Sequence, residues 1–290
     1  VWRIPIDGTA GPTATPAGRF ELKAAEAPPA TLHWVPPPDA DWQWLPAGPA
    51  DSRRSVDVYD LPLATTAPAR LADVHARGAH AVCWLPIGTV STTDPNLRDL
   101  DPTLLGKPVP GHPDERFLDI RRLDDLTPFV SARLDDCWAQ GFDGVDAAGL
   151  DTYFTAGAEG IGFPVGYDDA VALTTAVAGL AHGRGLAAGL RAGSTATPLD
   201  AFVAAVEPIT DFVVLERCVT TRSGCGAFLR YPQHGKAALH LEYLQDYQGA
   251  TVTNPRVALS RVCPAVASLG FSTILKDGSG SHPAWRQPCP

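Results

Sequence analysis

The chain has 290 residues, 45% hydrophobic and 19% charged, a balance that buries a core and excludes an intrinsically disordered segment. Its 32 acidic and 23 basic residues give a net charge of −9 with no basic block, which argues against nucleic acid and anionic membrane surfaces as partners. No run approaches the ~20 consecutive apolar residues of a membrane span. The opening Val1-Trp2-Arg3, in a chain without Met, reads as a mature protein whose signal peptide has been removed.

Residues 1–40 are rich in Ala, Pro, Gly and Thr, include Pro28-Pro29 and Pro36-Pro37-Pro38, and show no sustained periodicity. They are expected to form an amino-terminal arm or linker. From Trp42 onward short apolar runs alternate with helical patterns, the signature of parallel βα units. Strands are expected at 42–46, 55–61, 79–86, 142–149, 186–192, 211–217, 237–243 and 271–276, most of them nearly continuous apolar runs, as helix-covered strands should be. Helices are expected at 66–77, 124–140, 168–183, 198–207 and 255–268, with Gly78, Gly141, Gly185 and Gly270 placed after four of them as C-caps. Eight strands with intervening helices predict one α/β domain over 41–290, a (β/α)₈ TIM barrel. The long polar connection 87–123 predicts a lid or groove wall over the strand ends, and 277–290 reads as a Gly/Ser/Pro tail.

Six cysteines stand at 83, 137, 218, 225, 263 and 289, with no C-x-x-C pair to suggest zinc or redox chemistry. An even, widely spaced set predicts three disulfides and an oxidising, extracellular compartment. The short interval from Cys218 to Cys225 would close a loop after a strand, and Cys263 with Cys289 would tie the tail to the last helix. Cys83 and Cys137 are then left to pair.

Polar residues at the carboxyl ends of barrel strands face the active site. By that rule Asp57 and Asp60 close strand two, Asp143 and Asp146 lie in strand four with Asp151 beyond, Glu216 ends strand six and Glu242 ends strand seven. Carboxylates converging on one mouth suit glycoside hydrolysis, in which one acid protonates the leaving oxygen and another acts as base or nucleophile. Glu216, carried to a strand end by Val213-Val214-Leu215, and Asp146 are the expected catalytic pair. The blander readings are an ion pair of Glu216 with Arg191 or Arg217, and a turn-forming Asp146. Among the aromatics, Tyr59 and Trp84 are expected in the groove, where a ring face stacks on sugar. Neither a metal nor an organic cofactor is expected: there is no H-E-x-x-H, no dinucleotide fingerprint and no G-x-S-x-G elbow.

The motif order resembles glycoside hydrolase family 114, the secreted endo-α-1,4-polygalactosaminidases, from Trp42 to Asp277. The resemblance rests on Trp42-Gln43-Trp44-Leu45, Val56-Asp57-Val58-Tyr59-Asp60-Leu61, Phe117-Leu118-Asp119-Ile120, Gly141-Phe142-Asp143-Gly144-Val145, Gly185-Leu186-Ala187-Ala188-Gly189-Leu190, Leu215-Glu216-Arg217-Cys218, Leu241-Glu242-Tyr243 and Ile274-Leu275-Lys276-Asp277. It implies the same barrel and a partner polysaccharide containing α-1,4-linked galactosamine or N-acetylgalactosamine. Asp57, Tyr59, Asp60, Trp84, Asp151, Arg191 and Glu242 are the expected substrate-binding residues. The chain also departs from the family pattern. Pro62 stands where an Asp is usual, Asp146-Ala147-Ala148-Gly149-Leu150-Asp151 replaces Glu-Pro-Asp-Asn-x-Asp, and Arg191-Ala192 replaces Lys-Asn. The implied function is an endo-acting glycosidase, with a silent polysaccharide-binding barrel as the alternative.

Overall fold

In a barrel strand alternate residues face the interior and the helix layer, so a run that is apolar throughout is buried on both sides. A computed structural model describes residues 33–46, 55–151, 160–193, 199–222 and 224–290, which belong to one compact unit. Its strands are β1 (Trp42–Trp44), β2 (Val58–Pro62), β3 (His80–Pro86), β4 (Thr89–Ser91), β5 (Leu105–Val109), β6 (His112–Leu118), β7 (Gly144–Ala148), β8 (Ala187–Gly193), β9 (Phe212–Glu216), β10 (Ala237–Tyr243), β11 (Ser272–Lys276) and β12 (Arg286–Pro288). The order β1-β2-β3-β7-β8-β9-β10-β11 is parallel throughout and corresponds to the eight expected strands.

The ring closes between β11 and β1 by side chains and by the tail. Trp42 Nε1 donates to the Ser272 carbonyl at 2.8 Å near the foot of the seam. Higher up, β12 pairs antiparallel with β11, and the Lys276 ammonium donates to Gln43 Oε1 at 3.0 Å and the Pro283 carbonyl at 2.8 Å. The expected tail thus contains a strand that fills the seam, a role its Gly/Ser/Pro composition did not signal.

Two apolar layers follow from the alternation. Trp42, Val58, Val82, Phe212, Val214, Leu239 and Leu241 fill the barrel, while Leu61, Leu85, Val145, Leu190, Val213 and Leu215 pack outward beneath the helices. Gly189 is required by the first layer, because a Cβ there would lie 2.2 Å from the Phe212 ring. The helices Pro68–His75, Leu123–Gln140, Tyr167–His182, Leu199–Val206 and Arg256–Val266 fall on the five expected patterns, and Gly141 caps the second at φ 96°.

The long connection after β3 forms a three-stranded antiparallel sheet, β4-β6-β5. It leaves the barrel at the mouth, where Ile87 N donates to the Ala148 carbonyl at 2.8 Å. Buried Arg133 fastens it to the neighbouring helix by bonding the Pro86 carbonyl and pairing with Asp94 at 3.3 Å. The expected arm falls mainly on residues 1–32, which lie outside the described residues; 33–40 run across the barrel foot, where Trp34 stacks on His80 at 4.2 Å. Among the described residues no helix is long and apolar enough to cross a membrane.

Three disulfides join Cys83 to Cys137, Cys218 to Cys225 and Cys263 to Cys289, the pairing expected from their spacing. They close intervals of 54, 7 and 26 residues respectively. If each acts by restricting the unfolded chain, paired Cys→Ala variants should cost about 4, 2 and 3.5 kcal/mol in that order. Urea unfolding reads the ranking, and equal losses would refute chain entropy as the source.

Candidate active site

Inward parity at the strand ends builds the mouth. Asp60 follows Val58 by two residues, Asp146 follows Gly144, Arg191 follows Gly189, Glu216 follows Val214 and Tyr243 follows Leu241, so each points into the barrel above a core-filling position. Arg191 is the centre. Its Nε donates to Asp146 Oδ2 at 2.6 Å, its Nη2 reaches the same oxygen at 2.5 Å and also bonds Asp60, and its Nη1 bonds Glu216. The guanidinium carbon lies 4.4 Å from the Trp44 ring centroid, and Tyr243 OH donates to Glu216 Oε2 at 3.1 Å.

Burial divides these acids by role. Asp60 and Asp146 have no exposed side-chain surface, whereas Glu216 retains 23%. Burial and the adjacent Asp146 charge push Asp60 well above the usual carboxylate range; burial also raises Asp146, against the pull of Arg191. Arg191 stays charged despite its burial, because Asp146, Asp60 and Glu216 surround it.

Asp151 and Glu216 meet in a solvent-open pocket of about 390 Å³, lined also by Ala148, Arg191, Gly193 and Arg217. The Asp151 carboxylate accepts from Gly193 N at 2.9 Å. Burial, opposed by that hydrogen bond and assisted by the Glu216 charge, pushes its pKa up to about 6. Arg217, held at a left-handed φ of 60°, lies 4.3 Å from the Tyr243 ring centroid and pairs with Asp246 at 2.7 Å.

The structure therefore brings together Asp60, Asp146, Asp151, Arg191 and Glu216, with Trp84 edge-on to Trp44 at 5.5 Å in the same mouth. Four sequence candidates, Asp57, Asp143, Tyr59 and Glu242, lie elsewhere. Asp57 precedes β2 and stands at the foot, where it accepts from Asp41 N at 2.8 Å. Asp143 and Asp211 hold the same station, accepting from Ala81 N and Ala188 N at 2.8 Å. Such an Asp, immediately before a strand, ties that strand to its neighbour, and Asp57 falls at this station because strand two begins at Val58 rather than 55. Tyr59 has the wrong parity for the groove and is buried in the helix-side layer.

Glu242 also faces outward. It accepts from Val219 N at 2.8 Å, Thr220 Oγ1 at 2.5 Å and Tyr247 OH at 2.7 Å, and pairs with His240 Nε2 at 3.1 Å. Burial raises its pKa, but the His240, Thr220 and Tyr247 hydrogen bonds outweigh it and hold the group below the usual value. Glu242 thus anchors the loop that follows Glu216, the loop that the Cys218–Cys225 bridge closes. Trp44 and Tyr243 were assigned no role in the mouth from sequence, although their spacing of two from Trp42 and Leu241 carries the signal.

Among the described residues, His33, His182 and Asp211 also converge, at the foot and away from this pocket. Both imidazoles bond Asp211 Oδ2 through Nε2, at 3.0 and 2.8 Å, and their rings stack 24° from parallel.

A parallel barrel whose strand ends bring two carboxylates into one open pocket has the architecture that glycoside hydrolysis uses. The chain belongs to glycoside hydrolase family GH114, which it matches over residues 23–290. The structure of Aspergillus fumigatus Ega3 in complex with galactosamine is similar at TM-score 0.75 and 22% identity, covering 88% of this chain and 97% of that one. The glycoside hydrolase domain of Pseudomonas aeruginosa PelA is similar at TM-score 0.56 and 11% identity, covering 83% and 94%. At these identities the likeness is one of fold. No curated protein matches the chain.

Replacing Arg191 leaves buried carboxylates without a counter-charge, so Arg191→Leu should lose about 3–5 kcal/mol of stability near neutral pH. Its unpaired acids then have folded-state pKa values raised above the unfolded ones, a penalty present at high pH and relieved as pH falls. Unfolding measured from pH 8 to about pH 4 should show the gap to wild type narrowing; a constant gap would count against charge imbalance as the cause.

Proposed function

We propose that the protein is a secreted, endo-acting glycosidase cleaving α-1,4-linked galactosamine or N-acetylgalactosamine exopolysaccharide, with Asp151 as general acid and Glu216 as the opposing carboxylate. The observation that carries this reading is that the two acids line one pocket in different environments: Asp151 is desolvated toward its protonated form, while Glu216 faces the donors Arg191 and Tyr243. Asp151 would protonate the glycosidic oxygen as the bond to the anomeric carbon breaks, and Glu216 would supply the electron pair, directly or through water. Asp146, the acid first expected to pair with Glu216, has no exposed surface and acts by holding Arg191. Three disulfides favour an oxidising compartment, which supports secretion.

Polysaccharide binding without turnover is the competing reading, and Ala148 favours it. Its methyl group lines the pocket at the position where the family pattern has Asp, and a methyl group moves no proton. Product analysis with galactosamine-containing polysaccharides decides between them: new reducing ends that vanish in Glu216→Gln support hydrolysis, and saturable binding without them refutes it.

Because the acid must be protonated, kcat/KM should decline as pH rises through about 6, and Asp151→Asn should lose about 10²–10⁴-fold. Stability should fall over the same range. The folded-state pKa of Asp151 is raised, so its burial costs stability above about pH 6 and nothing at pH 4. Asp151→Asn should therefore be about 3 kcal/mol more stable than wild type at pH 8 and nearly equal to it at pH 4. An activity profile that is flat across pH 5–8 would remove Asp151 from the acid's role.

A further inference from the structure

Three carboxylates share a single arginine in the mouth, and the two deepest cannot both be charged cheaply. Asp60 from β2 and Asp146 from β7 have no exposed side-chain surface and bond the same nitrogen, Arg191 Nη2. Their Oδ1 atoms are buried without a hydrogen-bond partner, and the two carboxyl groups lie within hydrogen-bonding reach of each other. The other charged or titratable groups facing them are Arg191 from β8, Glu216 from β9 and Tyr243 from β10, with the Trp44 ring against the guanidinium. Two adjacent anions in a low-dielectric site repel strongly, and an oxygen buried without a donor adds its own desolvation cost. A single proton held between the carboxyls removes one charge and supplies the missing donor.

We propose that one proton resides between Asp60 and Asp146 in the folded protein, making them a singly charged unit that positions Arg191 against Glu216. The proton exchanges only between carboxyl oxygens, so the cluster carries two negative charges against one positive, and no other group must change state. With both acids ionised, the guanidinium would be drawn down toward a doubly charged pair and away from Glu216. With both neutral it would answer to Glu216 alone. Burial displaces both acids upward; the Asp146 charge and hydrogen bond raise Asp60 further, while the Asp60 hydrogen bond lowers Asp146, an asymmetry that agrees with one proton donated by Asp60 and accepted by Asp146. Asp60 and Asp146 are thus positioning residues, not catalytic ones. Their influence on Glu216 rests on the glycosidase reading, whereas the proton itself does not.

Infrared spectroscopy of the substrate-free protein at pH 8, where Asp151 is ionised, tests the proton directly. The expected result is a carboxylic-acid stretch in wild type that shifts on ¹³C-aspartate labelling and is lost in both Asp60→Asn and Asp146→Asn. No such band in wild type, or one that survives Asp60→Asn, would overturn the proposal even if either variant folds poorly, since the wild-type spectrum stands alone. The positioning role is read in Asp60→Asn/Asp146→Asn, in which Arg191 faces Glu216 alone: kcat should fall about tenfold, a difference of about 1.4 kcal/mol, while KM stays within about twofold of wild type. An unchanged kcat refutes positioning while leaving the infrared result to judge the proton, and a protein without glycosidase activity still yields the band.

Discussion

The guanidinium of Arg191 balances the barrel mouth: it is the cation that Asp60, Asp146 and Glu216 all bond, from three different strands. A carboxylate in a water-poor site is tolerated only when it is paired and hydrogen-bonded, so the four side chains stand or fall together. Trp44 closes the underside of the cation and Tyr243 takes the second oxygen of Glu216, which leaves little freedom for any of them. The direction in which Glu216 presents its oxygens to the pocket is a consequence of this lattice. A rigid, pre-aimed carboxylate is what electrostatic catalysis requires, because no reorganisation is then needed at the reacting bond.

Behind the mouth lies a second, separate network with a different purpose. Glu242 points out of the barrel, yet it gathers Val219 N, Thr220, Tyr247 and His240 and so secures the turn that leaves β9 immediately after Glu216. The Cys218–Cys225 bridge closes the same turn, and the left-handed Arg217 sits at its start. Strain at Arg217 is sustained by surroundings that over-determine it, as is common beside functional groups. Two independent anchors on one short loop hold Glu216 and Arg217 in place at the pocket wall.

Membership of family GH114 sharpens the meaning of the residues that differ from its pattern. Ala148 removes a carboxylate from the pocket wall, while Asp151, three residues on, still lines that pocket in a desolvated setting that favours its acid form. Arg191 in place of Lys offers a planar fork able to meet three carboxylates at once, which a point-charge ammonium could not do with the same geometry.

Hydrophobic period and cysteine spacing determined the scaffold from the sequence alone. Eight apolar runs separated by helical patterns leave few ways to bury both faces of a parallel sheet, and the six cysteines paired as their spacing implied. The sheet of the β3 connection and the seam-filling β12 were not legible, since both are held by partners distant in sequence rather than by local propensity. For the site, composition at strand ends found Asp60, Asp146, Asp151, Arg191 and Glu216, but it could not rank them. A strand boundary displaced by three residues sent Asp57 to the foot, and parity sent Tyr59 and Glu242 to the helix side. Which acid is buried and which is open depends on depth along a strand and on the loops above it, quantities that exist only once the barrel has closed. The sequence therefore determined that carboxylates would gather around a barrel mouth, and tertiary structure decided that Asp146 would brace an arginine while Asp151 faced the pocket, because position in the closed barrel sets which carboxylate meets the guanidinium and which meets the pocket.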